Sequence, residues 1–313
     1  MHDDVQRSIK YKHQKYASKA ANLATDAVHA AGFRIGLGAP LYPAASYALG
    51  KYTNEHSLAD FASSVFQKAN FAVVADGASG SELSKWVGEF FGDLPSQRAG
   101  ELASLTTKSV YKGGEQRISH SHGNAITIAF PGASLESPKP ELTVLAALLG
   151  GPTSVKWTQS SSLLAKSTAS FGVDVSTKHH SYTDAGLFTI TISGSASAVR
   201  DAASHPAKVL KAIADGTVNK EDVGKAIAKT RFEILDQSLL REPSIVRAGT
   251  GLLHNGQPWD ATDAAKGLDS VTSEKIKSVC NPRRYLSLLA CYTNDTTGGK
   301  GSVGVEGISR MRW

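Results

Sequence analysis

The chain has 313 residues, 41% of them hydrophobic and 20% charged, with 34 basic against 28 acidic side chains and a net charge of +6. That is the composition of a globular protein long enough for two domains with their own cores, and it excludes disordered and fibrous classes. The basic excess is small and spread along the chain, and the aromatics (7%) are not interleaved with it, so a nucleic-acid platform is excluded. Cys280 and Cys291 fit no disulfide framework and no zinc spacing, and are read as reduced thiols. The longest apolar run, Leu142 to Leu149, is too short to cross a bilayer. The N-terminus lacks the apolar core of a signal peptide, and Asp3 and Asp4 are acidic where a mitochondrial leader is acid-poor.

In chain order, residues 4–31 predict one long helix with Val5, Ile9, Ala17, Ala20, Leu23 and Ala27 on its apolar side. Gly36-Leu37-Gly38-Ala39-Pro40 is a loop. Ser57 is expected to cap a second helix with Leu58, Phe61, Ala62, Val65 and Phe66 inward. Phe71 to Ala75 predicts a strand broken by Asp76-Gly77. Ser79 or Ser81 then caps a helix carrying Leu83, Trp86, Val87 and Phe90, which Gly92 and Pro95 stop. The polar stretch 96–112 is read as a linker.

The second part is richer. Glu115–His120 and Asn124–Phe130 predict a strand pair across the turn His122-Gly123. A helix runs from Pro140 or Glu141 to Leu149, and a short one over Ser160–Ala169. Strands at Phe171–Thr177 and Gly186–Ser193 flank a polar turn. Helices follow at Ala196–Asp215, at Asn219–Leu239 with Asn219 as cap, and at Ile245–Leu253 and Thr272–Val279. Strands at Tyr285–Tyr292 and Ser302–Glu306 close the chain around a loop at 293–301. The first part thus has a single strand, which satisfies neither its own backbone nor a sheet. Either it borrows a sheet edge from a partner, or the chain is the back end of a longer protein.

Enzyme chemistry is sparse. An inverted zinc peptidase motif, His-x-x-Glu-His on a helix, is absent; Tyr52-Thr53-Asn54-Glu55-His56 comes nearest, with a phenol where the first imidazole belongs. His120 and His122 on one strand face, with His179-His180 in a loop near a strand end, are a candidate ligand set; exposed strand-end histidines are the alternative. Gly150 to Lys156 is glycine-rich but lacks the second glycine and the Ser/Thr of a phosphate loop. Ser160-Ser161-Ser162 has no Gly-x-Ser-x-Gly surround, and Lys166 is four residues from Ser162, not three; helix capping explains the serines.

Several segments, in order, resemble one family. They are Asp26 to Arg34 with Gly36 to Leu41; residues 70–95; Lys112 to Arg117; Ala129 to Ala133; Leu149 to Trp157 with Leu164 to Lys166; and Tyr182-Thr183-Asp184-Ala185-Gly186-Leu187-Phe188. Together they resemble the inverzincin-type zinc peptidases, the mitochondrial processing peptidases and their relatives, and within them the fungal core proteins of the cytochrome bc1 complex. The resemblance implies an α+β fold of α/β layers in two homologous domains, the first missing its N-terminal strands. Residues 1–98 would be the second half of the first domain, 99–112 the linker and 113–313 the second domain. It implies no catalytic, cofactor-binding or metal residue and no cofactor. It further implies a structural subunit peripheral to the inner mitochondrial membrane, on the matrix side. The partners implied are core protein 1, cytochrome b, cytochrome c1 and the Rieske protein, in a dimeric complex. Two other readings stand beside it: a non-catalytic, presequence-binding alpha-type chain of a processing peptidase, and a metal hydrolase built on His120, His122 and His179.

Overall fold

A computed structural model describes residues 2–40, 54–68, 72–94, 108–119, 123–151, 162–280 and, as backbone only, 288–293. The expected strand at Ser302–Glu306 and the loop before it lie outside the described residues. Two compact units divide the chain. One comprises Met1–Ala45, Ser109–Arg231 and Gly267–Trp313, the other Ser46–Lys108 and Phe232–Lys266.

The first unit is built on a five-stranded sheet: β1 (Gly114–Ser119), β2 (Asn124–Pro131), β3 (Asp174–Ser181), β4 (Gly186–Gly194) and β5 (Leu288–Thr293), in the order β1-β5-β2-β4-β3. β1 runs parallel to β5, and the remaining pairs are antiparallel. The expected β1–β2 hairpin does not form, because β5 lies between them. The central position goes to the strand carrying the apolar Leu288-Leu289-Ala290, and the edge to the polar Glu115-Gln116-Arg117.

The predicted N-terminal helix is two helices, α1 (His2–Ala17) and α2 (Ala20–Phe33). The break is at Lys19, which is extended (φ −106°, ψ 111°), and the Asn22 side-chain amide donates to the Tyr16 carbonyl that the break exposes. Val5 on α1 is exposed, whereas α2 lies on the sheet. Ala20, Ala24, Ala27 and Val28 meet Ala125, Ala129 and Leu187, and small residues on both surfaces let helix and sheet approach closely. Phe33 closes the end of this layer, and burying it is worth about 2 kcal/mol.

The side-chain period of two sends Ile126, Ile128, Ile190 and Ile192, all buried, to the other face. Helices α5 (Pro140–Leu149) and α7 (Ala196–Ala202) pack on the sheet, and α12 (Ser273–Val279) packs on α5. Between α5 and α7 comes α6 (Leu163–Thr168). The predicted helix 196–215 breaks after Ala202 and restarts as α8 (His205–Ala214), with Pro206 in its first turn where no intrahelical N–H is needed. Asn219 accepts from the Glu221 amide at the start of α9 (Lys220–Leu239), as expected.

The second unit holds α3 (Glu55–Val65), α4 (Gly80–Phe91), the C-terminal part of α9, α10 (Arg241–Asn255) and most of α11 (Ala261–Gly267). Asn54, not Ser57, caps α3; Ser57 is the return partner of a capping box. Leu58 and Phe66, expected inward, are exposed. Ser79 caps α4 and forms a capping box with Glu82. Of the strand predicted before it, Ala72–Ala75 pairs with no strand among the described residues.

Candidate functional site

His120 and His122 lie outside the described residues, as do Tyr52 and Thr53. His56 is exposed in the first turn of α3. His179 and His180 are not in a loop but in β3, because the strand runs on to Ser181. Adjacent strand residues point to opposite faces, so these two imidazoles do not converge on one ion. Among the described residues, no three His, Cys, Asp or Glu side chains are grouped to hold a metal.

Each histidine is instead held by a packing contact. His179 Nε2 accepts from the Ala133 amide (3.0 Å), so its proton sits on Nδ1, facing the Ser181 hydroxyl (3.4 Å). Burial pushes its pKa down to about 4. On the other face, the Thr189 hydroxyl gives its proton to the Lys178 carbonyl (3.3 Å), so His180 Nε2–H donates to Thr189 (3.2 Å). Burial first, then His29, Lys178 and His179, push the His180 pKa down to about 4.

His180 belongs to a cluster that brings α2 onto the β3–β4 hairpin. His29 is only 8% exposed, and its ring meets that of His180 edge-on at 5.3 Å. Its Nδ1–H donates to the Thr25 carbonyl one turn back (2.7 Å), which leaves Nε2 to accept from the Tyr182 hydroxyl (2.8 Å). Burial raises the Tyr182 pKa, and nearby Asp26 adds to it. Asp26 accepts from the Tyr16 hydroxyl (2.8 Å), and burial raises its carboxyl pKa against that bond. Every polar atom named here has a protein partner, and the arrangement joins elements. Sequence reasoning assigned His29 no role. The signal was a histidine inside the apolar run Ala27-Val28-His29-Ala30-Ala31, where solvent gives it no reason to be.

The Tyr182–Phe188 segment is packing throughout. Asp184 accepts from the Ser109 amide, and Tyr182 N–H closes the turn onto the Ala185 carbonyl (2.8 Å). Gly186 donates no conformational freedom; a Cβ there would stand 2.2 Å from the Ala133 carbonyl oxygen. Gly132 is hemmed in too: a Cβ there would stand 2.8 Å from His179 Nε2 and from the Leu187 nitrogen. Two backbones therefore interlock, and the Gly132 amide donates to the Gly186 carbonyl (2.8 Å). Leu187 and Phe188 are buried on opposite faces of the sheet.

The other candidates reduce to local structure. Gly150 ends α5 at φ 135°, and a Cβ there would stand 2.4 Å from Ser162 Oγ. Ser162 is buried at the N-cap position of α6, while Ser160 and Ser161 lie outside the described residues. Lys166 faces Asp222 (3.7 Å). Cys280 is a free, buried thiol whose pKa burial pushes up to about 12, so it is not a nucleophile at neutral pH.

Comparison with known proteins gives the same picture. Residues 54–230 match the profile of the family described as Peptidase M16 inactive domain. The chain is 45% identical over 278 residues to cytochrome b-c1 complex subunit 2 of Neurospora crassa, covering 88% of this chain and 60% of that protein. It is 29% identical over 289 residues to the Schizosaccharomyces pombe subunit 2, covering 88% of this chain and 62% of that one. A probable mitochondrial-processing peptidase subunit alpha-1 of Arabidopsis thaliana is also 29% identical, covering 86% of this chain and 54% of that protein. Among solved structures, a chain of Complex III2 from Candida albicans, Inz-5 bound, superposes with a TM-score of 0.75 at 14% identity, covering 91% of this chain and 70% of that one. That likeness establishes the fold. The chain spans about 60% of the length of the Neurospora relative. A profile match across more than half of its length, together with these relatives, places the chain in the M16 peptidase family, in its inactive-domain branch.

Proposed function

We propose that the chain is a non-catalytic structural core subunit, core protein 2, of the mitochondrial cytochrome bc1 complex. In this role it supports assembly and stability of the complex that passes electrons from ubiquinol to cytochrome c. The observation that carries the reading is 45% identity to a cytochrome b-c1 complex subunit 2 over 88% of the chain. It is supported by the family motif Tyr182–Phe188, whose polar side chains Tyr182 and Asp184 bond protein groups and whose glycine is a steric requirement.

The subunit sits on the matrix side, peripheral to the inner membrane. Among the described residues no helix is long and apolar enough to cross a membrane, in keeping with peripheral attachment. Its partners are core protein 1, cytochrome b, cytochrome c1 and the Rieske protein, in a dimeric complex without nucleic acid. It holds no cofactor, and no catalytic, cofactor-binding or metal residue is assigned. In the two-domain scheme, residues 1–98 belong to the first peptidase-like domain, 99–112 to the linker and 113–313 to the second. The alternative, a presequence-binding alpha-type subunit of a processing peptidase, has the weaker sequence support of 29% identity.

Native electrophoresis of detergent-solubilised mitochondria separates the two. The proposal expects the chain to migrate with cytochrome b. Migration as a soluble pair with a zinc-containing chain would favour the processing peptidase.

A further inference from the structure

Within the first unit, the C-terminal end of α2 meets the start of β1 around a cavity of about 350 Å³, within the size range of ligand sites. Ala30, Ala31 and Arg34 line one side, and Gly113, Gly114 and Glu115 the other. The two sides are tied together. The Lys112 amide donates to the Gly32 carbonyl (2.7 Å), and the Phe33 and Tyr111 rings meet edge-on at 6.2 Å. The cavity is therefore preformed.

Arg34 is, among the described residues, the one non-glycine residue with positive φ (φ 64°, ψ −48°). The Ile35 amide donates to the Phe33 carbonyl two residues back (2.8 Å), the hydrogen bond of a γ-turn in its rare, strained form. Glycine would take this backbone without strain, and a cation in the last turn of α2 would serve the helix dipole without the γ-turn. Strain of this kind collects at ligand clamps. The Arg34 side chain is exposed and, among the described residues, has no acidic partner. Glu115, on the facing side, is held by Arg117 (2.5 Å), and Lys112 beside it is a second exposed cation. The cavity thus offers a guanidinium fork without a counter-ion, next to two alanine methyls. That combination suits a carboxylate on a short apolar stem.

β1 is an edge strand, and Gly113 and Gly114 carry no side chain to keep another backbone away. An extended peptide laid antiparallel along the start of β1 ends with its C-terminus at these glycines, across the cavity from Arg34. We propose that the cavity captures the C-terminal carboxylate of a partner polypeptide. Arg34 is its bidentate donor, and Gly113-Gly114 is the floor along which the peptide runs. Such capture requires only the cavity, not membership of a respiratory complex.

The test titrates the purified chain into a penta-alanine peptide labelled with fluorescein at its N-terminus and follows anisotropy. Saturable binding is expected for the free carboxylate, weakened roughly tenfold or more when the C-terminus is amidated. Arg34→Gly removes the fork and relaxes the turn. It should lose binding to the same extent, with a thermal unfolding midpoint equal to or above that of the unaltered chain. Arg34→Lys keeps the charge without the fork and should bind between the two. No saturable binding, equal binding of the amidated peptide, or equal binding by Arg34→Gly would overturn the proposal. So would a lowered midpoint for Arg34→Gly, which would make Arg34 a residue of the fold. Acetate that displaces the peptide at equal concentration would also overturn it, because the site would then need no polypeptide.

Discussion

Gly186 needs no left-handed backbone; it needs an empty place beside the Ala133 carbonyl, 2.2 Å from where a Cβ would be. Gly186→Ala should therefore cost about 2 kcal/mol or more, as forced overpacking does, read as a lowered midpoint in thermal or urea unfolding. A change within about 0.5 kcal/mol would mean that the two backbones separate freely. Tyr182→Phe leaves His29 Nε2 buried without its donor and should cost about 1–3 kcal/mol. Adding His29→Phe should cost much less than the sum of the single changes, because the pair is then removed together. Strict additivity would show that the hydrogen bond carries no coupling. Stability should also follow pH. His180 and His179 are held near 4 when folded and return to about 6.5 when unfolded, so between those values the unfolded chain binds more protons. Stability is then flat above about 6.5 and falls as the pH drops toward 4. Asp26, raised by burial, acts in the opposite sense above 3.8, which blunts the acid end of this slope. His180→Gln should flatten it. An unaltered slope would place the linkage elsewhere.

Helix starts were legible because capping is local. Ser79, one of the two expected caps, starts α4 and Asn219 stands ahead of α9 as expected, whereas Asn54 takes the place expected of Ser57 at α3. Ser79→Ala should weaken α4 by about 1 kcal/mol, seen as faster exchange of its first-turn amides. No change in exchange would mean that tertiary contacts hold that end. The break in the N-terminal helix was not legible, since Tyr16, Ser18 and Lys19 are ordinary helix residues. It becomes necessary only when α2 settles on a sheet formed by distant residues. The β1–β2 hairpin failed for the same reason: the strand that intervenes is contributed from more than 150 residues further on. The candidate site was half legible. The motif Tyr182 to Phe188 marks one side of the interlock, but its partners Gly132, Ala133 and His29 adjoin it only in the folded chain. Likewise, His179 and His180 looked like a pair because they are neighbours in sequence. The pleat separates them.

For the molecule as a whole, both compact units are assembled from discontinuous stretches. α2 precedes the sheet it covers by about 80 residues, and α10 joins the unit that holds α3 and α4. Such interlacing makes the chain a poor candidate for cutting into independent halves, and a suitable scaffold in which His29, His179, His180 and Tyr182 are committed to its own packing. The role proposed for this scaffold is structural support of the cytochrome bc1 complex. It is tested most directly by purifying the tagged chain from detergent-solubilised mitochondrial membranes and measuring haem per chain from the reduced-minus-oxidised spectrum. The account predicts b- and c-type haem in fixed ratio to the chain, with core protein 1 present in equal amount. A haem-free preparation, whether of the chain alone or paired with a zinc-containing peptidase subunit, would contradict it.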